Sequence, residues 1–103
     1  MLEQFQLDSI FDIIKRVSNP SRMYLFGSYA EGTPHEDSDI DILVLKDKVK
    51  DKREETLNLE KALMSKDYSV DILFYSEDEF ALKLRQQWRI FSEILTKGKQ
   101  IAC

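Results

Sequence analysis

Two neighbouring stretches decide the fold: MYLFGS at residues 23–28 and, ten residues further on, DIDILVL at residues 39–45. Residues 23–26 are apolar and aromatic and run directly into Gly-Ser, which predicts a short strand followed by a tight turn. The second stretch is rich in branched side chains and predicts a buried strand. A buried strand seldom begins with acids, so Asp39 and Asp41 are an anomaly that indicates a functional role.

The residue pattern outside these stretches predicts helices that alternate with further strands. The first predicted elements are a helix at 8–18, capped by Asp8 or Ser9, and a polar loop at 35–38. A second helix follows the charged run 46–55 and buries Leu59, Ala62 and Leu63, and a strand follows at 70–75. The last predicted elements are a helix at 80–97, preceded by a capping box of Ser76 and Glu79, and a short edge strand at 100–102. This order predicts an α/β (α+β) fold in which helices pack on one face of a small sheet.

The last predicted helix carries a broad apolar stripe. Its members recur at helical spacing and are Phe80, Leu84, Trp88, Phe91 and Leu95. A helix that covers a sheet needs such a stripe, so we expect these residues in the core. For Trp88 and Phe91, contact with a partner protein stays open as the alternative, because a stripe this broad leaves apolar area to spare.

Composition indicates a single globular domain over residues 1–103. A chain of 103 residues with 43% hydrophobic and 33% charged residues builds one core and has no room for a second. No apolar run approaches the roughly 20 residues of a membrane helix, and the N-terminus lacks the features of a signal peptide, so we expect a cytoplasmic protein without membrane contact. The net charge of −4 argues against broad binding to nucleic-acid backbones.

Three carboxylates stand where a strand should be apolar: Asp39, Asp41 and Asp71. Alternate strand residues share a face, so Asp39 and Asp41 point the same way, with Cα atoms about 6.6 Å apart. A neighbouring strand that presents Asp71 at the same height completes a triad of hard oxygen ligands, the type that Mg²⁺ and Mn²⁺ prefer. Two such ions about 4 Å apart activate an attacking oxygen and stabilise a leaving pyrophosphate. Pairing of Asp71 with a surface lysine is the structural alternative.

Gly27 and Ser28 are candidates for a phosphate-binding turn that complements the metal-binding acids. A glycine after a strand allows close backbone approach, and the Ser28 hydroxyl with the adjacent N–H groups can hold phosphate oxygens. A helix-capping role for Ser28 is the alternative, and the two roles are compatible. Phosphate groups beside a metal-binding acid pair indicate nucleotidyl transfer.

The stretches LFGSYAEG at 25–32 and DSDIDILV at 37–44 together resemble the signature of the polymerase-β-type nucleotidyltransferases. With its small size, the chain is similar to the minimal nucleotidyltransferases, which are prokaryotic proteins generally paired with a helical HEPN-domain protein as antitoxin and toxin. The resemblance implies a mixed sheet with helices on one side. It also implies the roles of the site residues, namely ATP triphosphate binding by Gly27 and Ser28, binding of two Mg²⁺ ions by Asp39 and Asp41, and a third catalytic acid at Asp71.

The resemblance further implies an activity and a partner. Some members of the family transfer AMP from ATP to a tyrosine of the partner toxin and thereby silence it, whereas others act mainly by binding. We therefore expect a Mg²⁺-dependent nucleotidyltransferase that acts as an antitoxin, with a non-catalytic binding module as the alternative. Glu31 stands where many relatives carry Arg, and this departure is the main point for the alternative. The sequence leaves a homodimer open.

Overall fold

Five helices and four strands are present in residues 3–32, 39–64, 69–86 and 88–102, which are the residues that the computed structural model describes. In chain order these are α1 (Gln4–Ser18), β1 (Arg22–Phe26), α2 (Ser28–Glu31), β2 (Ile40–Lys46), α3 (Lys52–Leu63), β3 (Val70–Ser76), α4 (Glu77–Arg85), α5 (Arg89–Lys97) and β4 (Lys99–Ile101). The loop predicted at 35–38 lies outside the described residues. Within those ranges, no helix has the length and hydropathy that crossing a membrane requires.

The strands form one mixed sheet in the order β3-β2-β1-β4. β2 is parallel to β3 and antiparallel to β1, and β1 is antiparallel to β4. β2 is therefore an interior strand, which explains why it is almost entirely apolar. Its fully buried residues are Ile40, Ile42, Leu43, Val44 and Leu45. The mixed sheet with its helices confirms the predicted fold class.

Helices α1 and α3 cover one face of the sheet. Ile42 and Val44 of β2 lie in one cluster with Ile10 and Ile14 of α1 and Leu59 of α3. These positions alternate along the strand and recur at three or four residues along the helix, as burial of one face and one stripe requires. This layer is apolar and closed, and it holds the sheet from behind the site described below.

Helix α1 begins earlier than the predicted cap at Asp8 or Ser9. The N–H of Glu3 donates a hydrogen bond to Oε1 of Gln6 at 2.8 Å, which satisfies a backbone donor at the start of the helix. Leu7 is buried and extends the apolar stripe by one turn. Burial of Leu7 therefore outweighs the capping preference of the aspartate and the serine.

Helices α4 and α5 cover the opposite face. Leu43 and Leu45 of β2 pack there with Phe80 of α4 and with Phe91 and Ile94 of α5. The helices expected on one face of the sheet are therefore α1 and α3. The two C-terminal helices, α4 and α5, form a second layer on the other face. The reason is that the alternating residues of β2 are apolar on both faces, and each face has to be removed from water.

The prediction of one unbroken helix over 80–97 is wrong. The chain forms α4 and α5, and Trp88 at the start of α5 has an extended backbone with φ −68° and ψ 108°. In a continuous helix Phe80 and Phe91 would lie about 16 Å apart along the axis. Their ring centroids are instead 5.6 Å apart in an edge-to-face contact. The break folds both apolar stripes onto the same sheet face, so the backbone is helical within each helix but not across the break, although the helical spacing of apolar residues in the sequence continues.

Phe91 and Trp88 differ in their burial. Phe91 is 2% exposed, which confirms its predicted place in the core. Trp88 is 47% exposed, and the ammonium of Lys83 lies 3.9 Å from the centroid of one of its rings. Trp88 therefore lies at the rim of the second layer and does not fill it.

Candidate active site

The turn between β1 and α2 is built on a conformation that only glycine tolerates. Gly27 has φ 75° and ψ −156°, a region that is nearly closed to residues with a side chain. A Cβ at this position would also overlap Oδ2 of Asp41. The turn backbone is therefore in direct contact with the carboxylate of the neighbouring strand, and the predicted phosphate contact of Gly27 stays a prediction.

Ser28 is the first residue of α2 and is half-buried. Its carbonyl accepts a hydrogen bond from the N–H of Gly32, which closes the short helix. Among the described residues, none forms a hydrogen bond with the Ser28 hydroxyl. The predicted phosphate contact of this hydroxyl stays a prediction.

Asp41 lies at the centre of the acidic group. In the register of the sheet it pairs with Phe26, the last residue of β1, and with Asp71 in the parallel strand β3. Paired residues of adjacent strands have Cα atoms about 5 Å apart and point to the same face. That face is the one covered by α4 and α5. The expectation that Asp71 stands at the same height as Asp41 is confirmed.

Asp39 and Asp71 are both exposed, whereas Asp41 is half-buried. Asp39 directly precedes β2, so it is outside the strand that was predicted to begin with it. Burial raises the pKa of Asp41 above its ordinary value, and the negative charges of Asp71 and Asp39 raise this pKa further. Both acids therefore lie within electrostatic reach of Asp41.

The three carboxylates have no cationic partner in the described ranges. None of the four ion pairs between described residues includes Asp39, Asp41 or Asp71. The salt bridge considered as an alternative for Asp71 is thus not formed with any described residue. Hard, unneutralised carboxylate oxygens on one face of a sheet are donors of the kind that Mg²⁺ and Mn²⁺ take.

The donor chemistry fits a divalent cation, but the ligands do not surround one point. Within the described part of the chain, no three His, Cys, Asp or Glu side chains come together closely enough to hold a metal ion. Asp41 and Asp71 are fixed by the strand register, while Asp39 lies outside the strand. The predicted ligand set of Asp39, Asp41 and Asp71 stays a prediction.

Two adjoining clefts open on this acidic group. The smaller has a volume of about 260 Å³, and its lining includes Asp41 of β2, Gly27 of the turn and Glu31 of α2. The larger has a volume of about 590 Å³ and includes Asp41 and Asp71. Phe26 and Ile90 line both clefts. Asp41 and Asp71 therefore face a space that is large enough for a small molecule, whereas Asp39 lines neither cleft.

Sequence reasoning missed the contribution of α5 to the smaller cleft. Ile90, Glu93, Ile94 and Lys97 of this helix form its opposite wall. Gly98 was predicted as the end of a helix, and that end is where the helix meets the sheet. Only the break before α5 brings this wall over the acids, and the sequence pattern did not predict the break.

A comparison with protein families identifies the chain's relatives. A family profile described as "Polymerase beta, Nucleotidyltransferase" matches residues 8–103. The chain therefore belongs to the polymerase-β nucleotidyltransferase family. Among curated protein sequences, none gives a significant match.

Similar solved structures indicate which group within the nucleotidyltransferase family the chain resembles. A toxin–antitoxin crystallised with AMP-PNP is 32% identical with a TM-score of 0.58, over 90% of this chain and 69% of that chain. A mutant of the toxin–antitoxin MntA-HpeT is 27% identical with a TM-score of 0.60, over 99% and 73%. A complex of tri-AMPylated HEPN toxin with MNT antitoxin from Shewanella oneidensis is 27% identical with a TM-score of 0.55, over 96% and 71%. The predicted likeness to minimal nucleotidyltransferase antitoxins is confirmed.

Replacing Gly27 should cost more stability than replacing Gly32, the other glycine with positive φ. Gly27→Ala introduces backbone strain and displaces Asp41, so we expect a loss of about 2–4 kcal/mol. Gly32→Ala introduces strain alone, because nothing lies within 4 Å of the added Cβ, and should cost about 1 kcal/mol. Urea unfolding of both variants measures the difference. Equal losses would show that the turn is not in contact with Asp41.

Neutralising Asp41 should stabilise the metal-free protein. Asp41→Asn removes a half-buried charge that two neighbouring acids oppose, so the melting temperature in EDTA at pH 7 should rise by about 2–6 °C. The matched control is Asp47→Asn, an exposed acid just beyond the other end of β2, which should change it by about 1 °C or less. A clear fall in melting temperature for Asp41→Asn would mean that the carboxylate makes a stabilising contact.

Proposed function

We propose that this chain is a Mg²⁺-dependent adenylyltransferase that acts as an antitoxin. It transfers AMP from ATP to a tyrosine hydroxyl of a HEPN-type toxin and thereby silences that partner. The observation that carries the proposal is the pairing of Asp41 with Asp71 in the strand register, beside a glycine turn that touches Asp41. The nucleotidyltransferase family of the chain and the AMPylated toxin in one similar complex support it.

Each element of the site has a role in this proposal. The Gly27 turn and Ser28 bind the triphosphate, because the turn lies against Asp41 and exposes backbone to the smaller cleft. Asp39 and Asp41 hold the divalent ions, and Asp71 completes the ligand set. When bound, Mg²⁺ or Mn²⁺ neutralises charge on the triphosphate and on the departing pyrophosphate and lowers the pKa of the attacking hydroxyl.

The transfer itself is an in-line displacement at the α-phosphorus. The acceptor oxygen forms a bond to this phosphorus, and the bond from the phosphorus to the oxygen that bridges to the β-phosphate breaks, which releases pyrophosphate. The hydroxyl proton passes to the carboxylate of Asp71, which lines the larger cleft and is exposed to an incoming acceptor. The larger cleft is therefore the acceptor side and the smaller cleft the nucleotide side.

The acceptor belongs to a partner protein in this proposal. The described residues form a single mixed sheet with its helices, and Asp71 is an exposed residue of the larger cleft. A HEPN toxin stands beside an MNT antitoxin in the similar Shewanella oneidensis complex. We therefore assign the second wall of the acceptor site to such a partner.

A binding module without catalysis is the second candidate function. It is favoured by the carboxylates, which do not surround one point among the described residues, and by Glu31, which lines the smaller cleft with a further negative charge. In that case the chain neutralises its partner by complex formation alone. The clefts then bind nucleotide weakly or not at all.

Intact mass of the partner separates the two functions. Purified chain is mixed with its co-encoded partner, ATP and Mg²⁺, and we expect the partner to gain one or more AMP units. Asp71→Asn should lower the transfer rate by about 10² or more while the complex still forms, because Asp39 and Asp41 remain. Asp78→Asn, an exposed acid outside both clefts, should leave the rate unchanged. A stable complex without any mass gain would support the binding module.

A further inference from the structure

Lys97 is the last residue of α5 and lines the smaller cleft together with Gly27 and Asp41. Of the described residues that line the two clefts, it is the only lysine or arginine. The other charged residues of the smaller cleft are Glu31, Asp41 and Glu93. A cleft whose other described charged residues are all acids therefore has one positive side chain.

The position of Lys97 relative to the glycine turn is set by the backbone. Lys99 pairs with Leu25 in the antiparallel register of β4 and β1. Lys97 lies two residues before Lys99, and Gly27 lies two residues after Leu25, so both belong to the same end of this strand pair. Gly98 holds the helix end close to β1, because a Cβ there would lie 3.0 Å from the carbonyl oxygen of Leu25. The lysine is therefore anchored beside the turn.

The ammonium of Lys97 is available to a ligand. None of the ion pairs between described residues includes it, and the neighbouring Glu93 is already paired with Arg89 at 3.0 Å. Lys97 is exposed at the cleft edge, so a bound anion does not have to displace an existing partner. Ammonium groups bind phosphate oxygens as point charges with three donors.

We infer that Lys97 binds the phosphate oxygens of the nucleotide in the smaller cleft. This inference rests on the proposed function and deepens it. A triphosphate that approaches the Gly27 turn meets Glu31 and Asp41, and the positive charge of Lys97 beside this turn offsets part of that repulsion. The cation for the nucleotide phosphates thus comes from the end of α5, far in sequence from the glycine turn.

The test compares lysine variants in nucleotide binding. The full chain is titrated with ATP in the presence of Mg²⁺, and separately with adenosine, and binding is followed by NMR chemical shifts. Lys97→Met should weaken ATP binding by about three- to tenfold at low salt, and the loss should shrink in 0.5 M NaCl because salt screens the contact. Adenosine binding should stay the same, since adenosine has no phosphate.

Two further variants serve as controls. Lys97→Arg keeps the positive charge and should restore at least half of the lost affinity. Lys99→Met removes an exposed lysine two residues away that lines neither cleft, and it should bind ATP like the wild type. Melting temperatures of all variants show whether each one is folded.

The outcomes separate this inference from the proposed function. If the wild type binds ATP and folded Lys97→Met binds it equally well, the role of Lys97 is overturned while the proposed function stands. An equal loss for ATP and adenosine would also overturn it, because Lys97 would then shape the cleft and not contact phosphate. A wild type that binds no ATP would overturn the proposed nucleotide site and the role of Lys97 with it.

Discussion

The carboxylate of Asp41 is the constraint on which the rest of the site depends. It is half-buried on an interior strand, and the acids on either side raise its pKa further. Among the described residues it has no cationic partner, so the fold holds a charge that a purely structural role would not keep. Gly27 has no side chain because Asp41 occupies that space, and Asp71 is fixed beside it by the parallel register.

The two faces of the sheet have different roles, one in stability and the other in function. The face under α1 and α3 is covered by aliphatic and aromatic side chains and supports β2 from behind. The face under α4 and α5 is apolar at the C-terminal half of β2 and acidic at its beginning, where the clefts open. The same strand therefore anchors the core with Leu43 and Leu45 and presents Asp41 two residues earlier. Because the strand is fixed on both sides, the acid has little freedom to move away from its like-charged neighbours.

The sequence was sufficient to predict the features that depend on local spacing. The strand before Gly27 and the strand after Asp39 follow from short apolar runs of strand-forming residues. The alignment of Asp71 with Asp41 depends in addition on the parallel register of β2 and β3, which the sequence did not predict. The break between α4 and α5 was not predictable in the same way, because the apolar spacing continues across it. That break turns α5 back over the acids and makes Ile90 and Lys97 cleft residues. Tertiary packing of Phe80 on Phe91 decides this part of the site, and local periodicity does not report it.

We propose that Asp39, Asp41 and Asp71 form a divalent-cation site that allows a triphosphate to bind beside them. Isothermal titration calorimetry of ATP, with Mg²⁺ and then with EDTA, tests this most directly. Without a cation, the acids and the triphosphate repel each other at close range. We expect measurable ATP binding in Mg²⁺ and a loss of at least about tenfold in affinity in EDTA. Equal affinity under the two conditions would contradict it, because the acids would then have no part in holding the nucleotide.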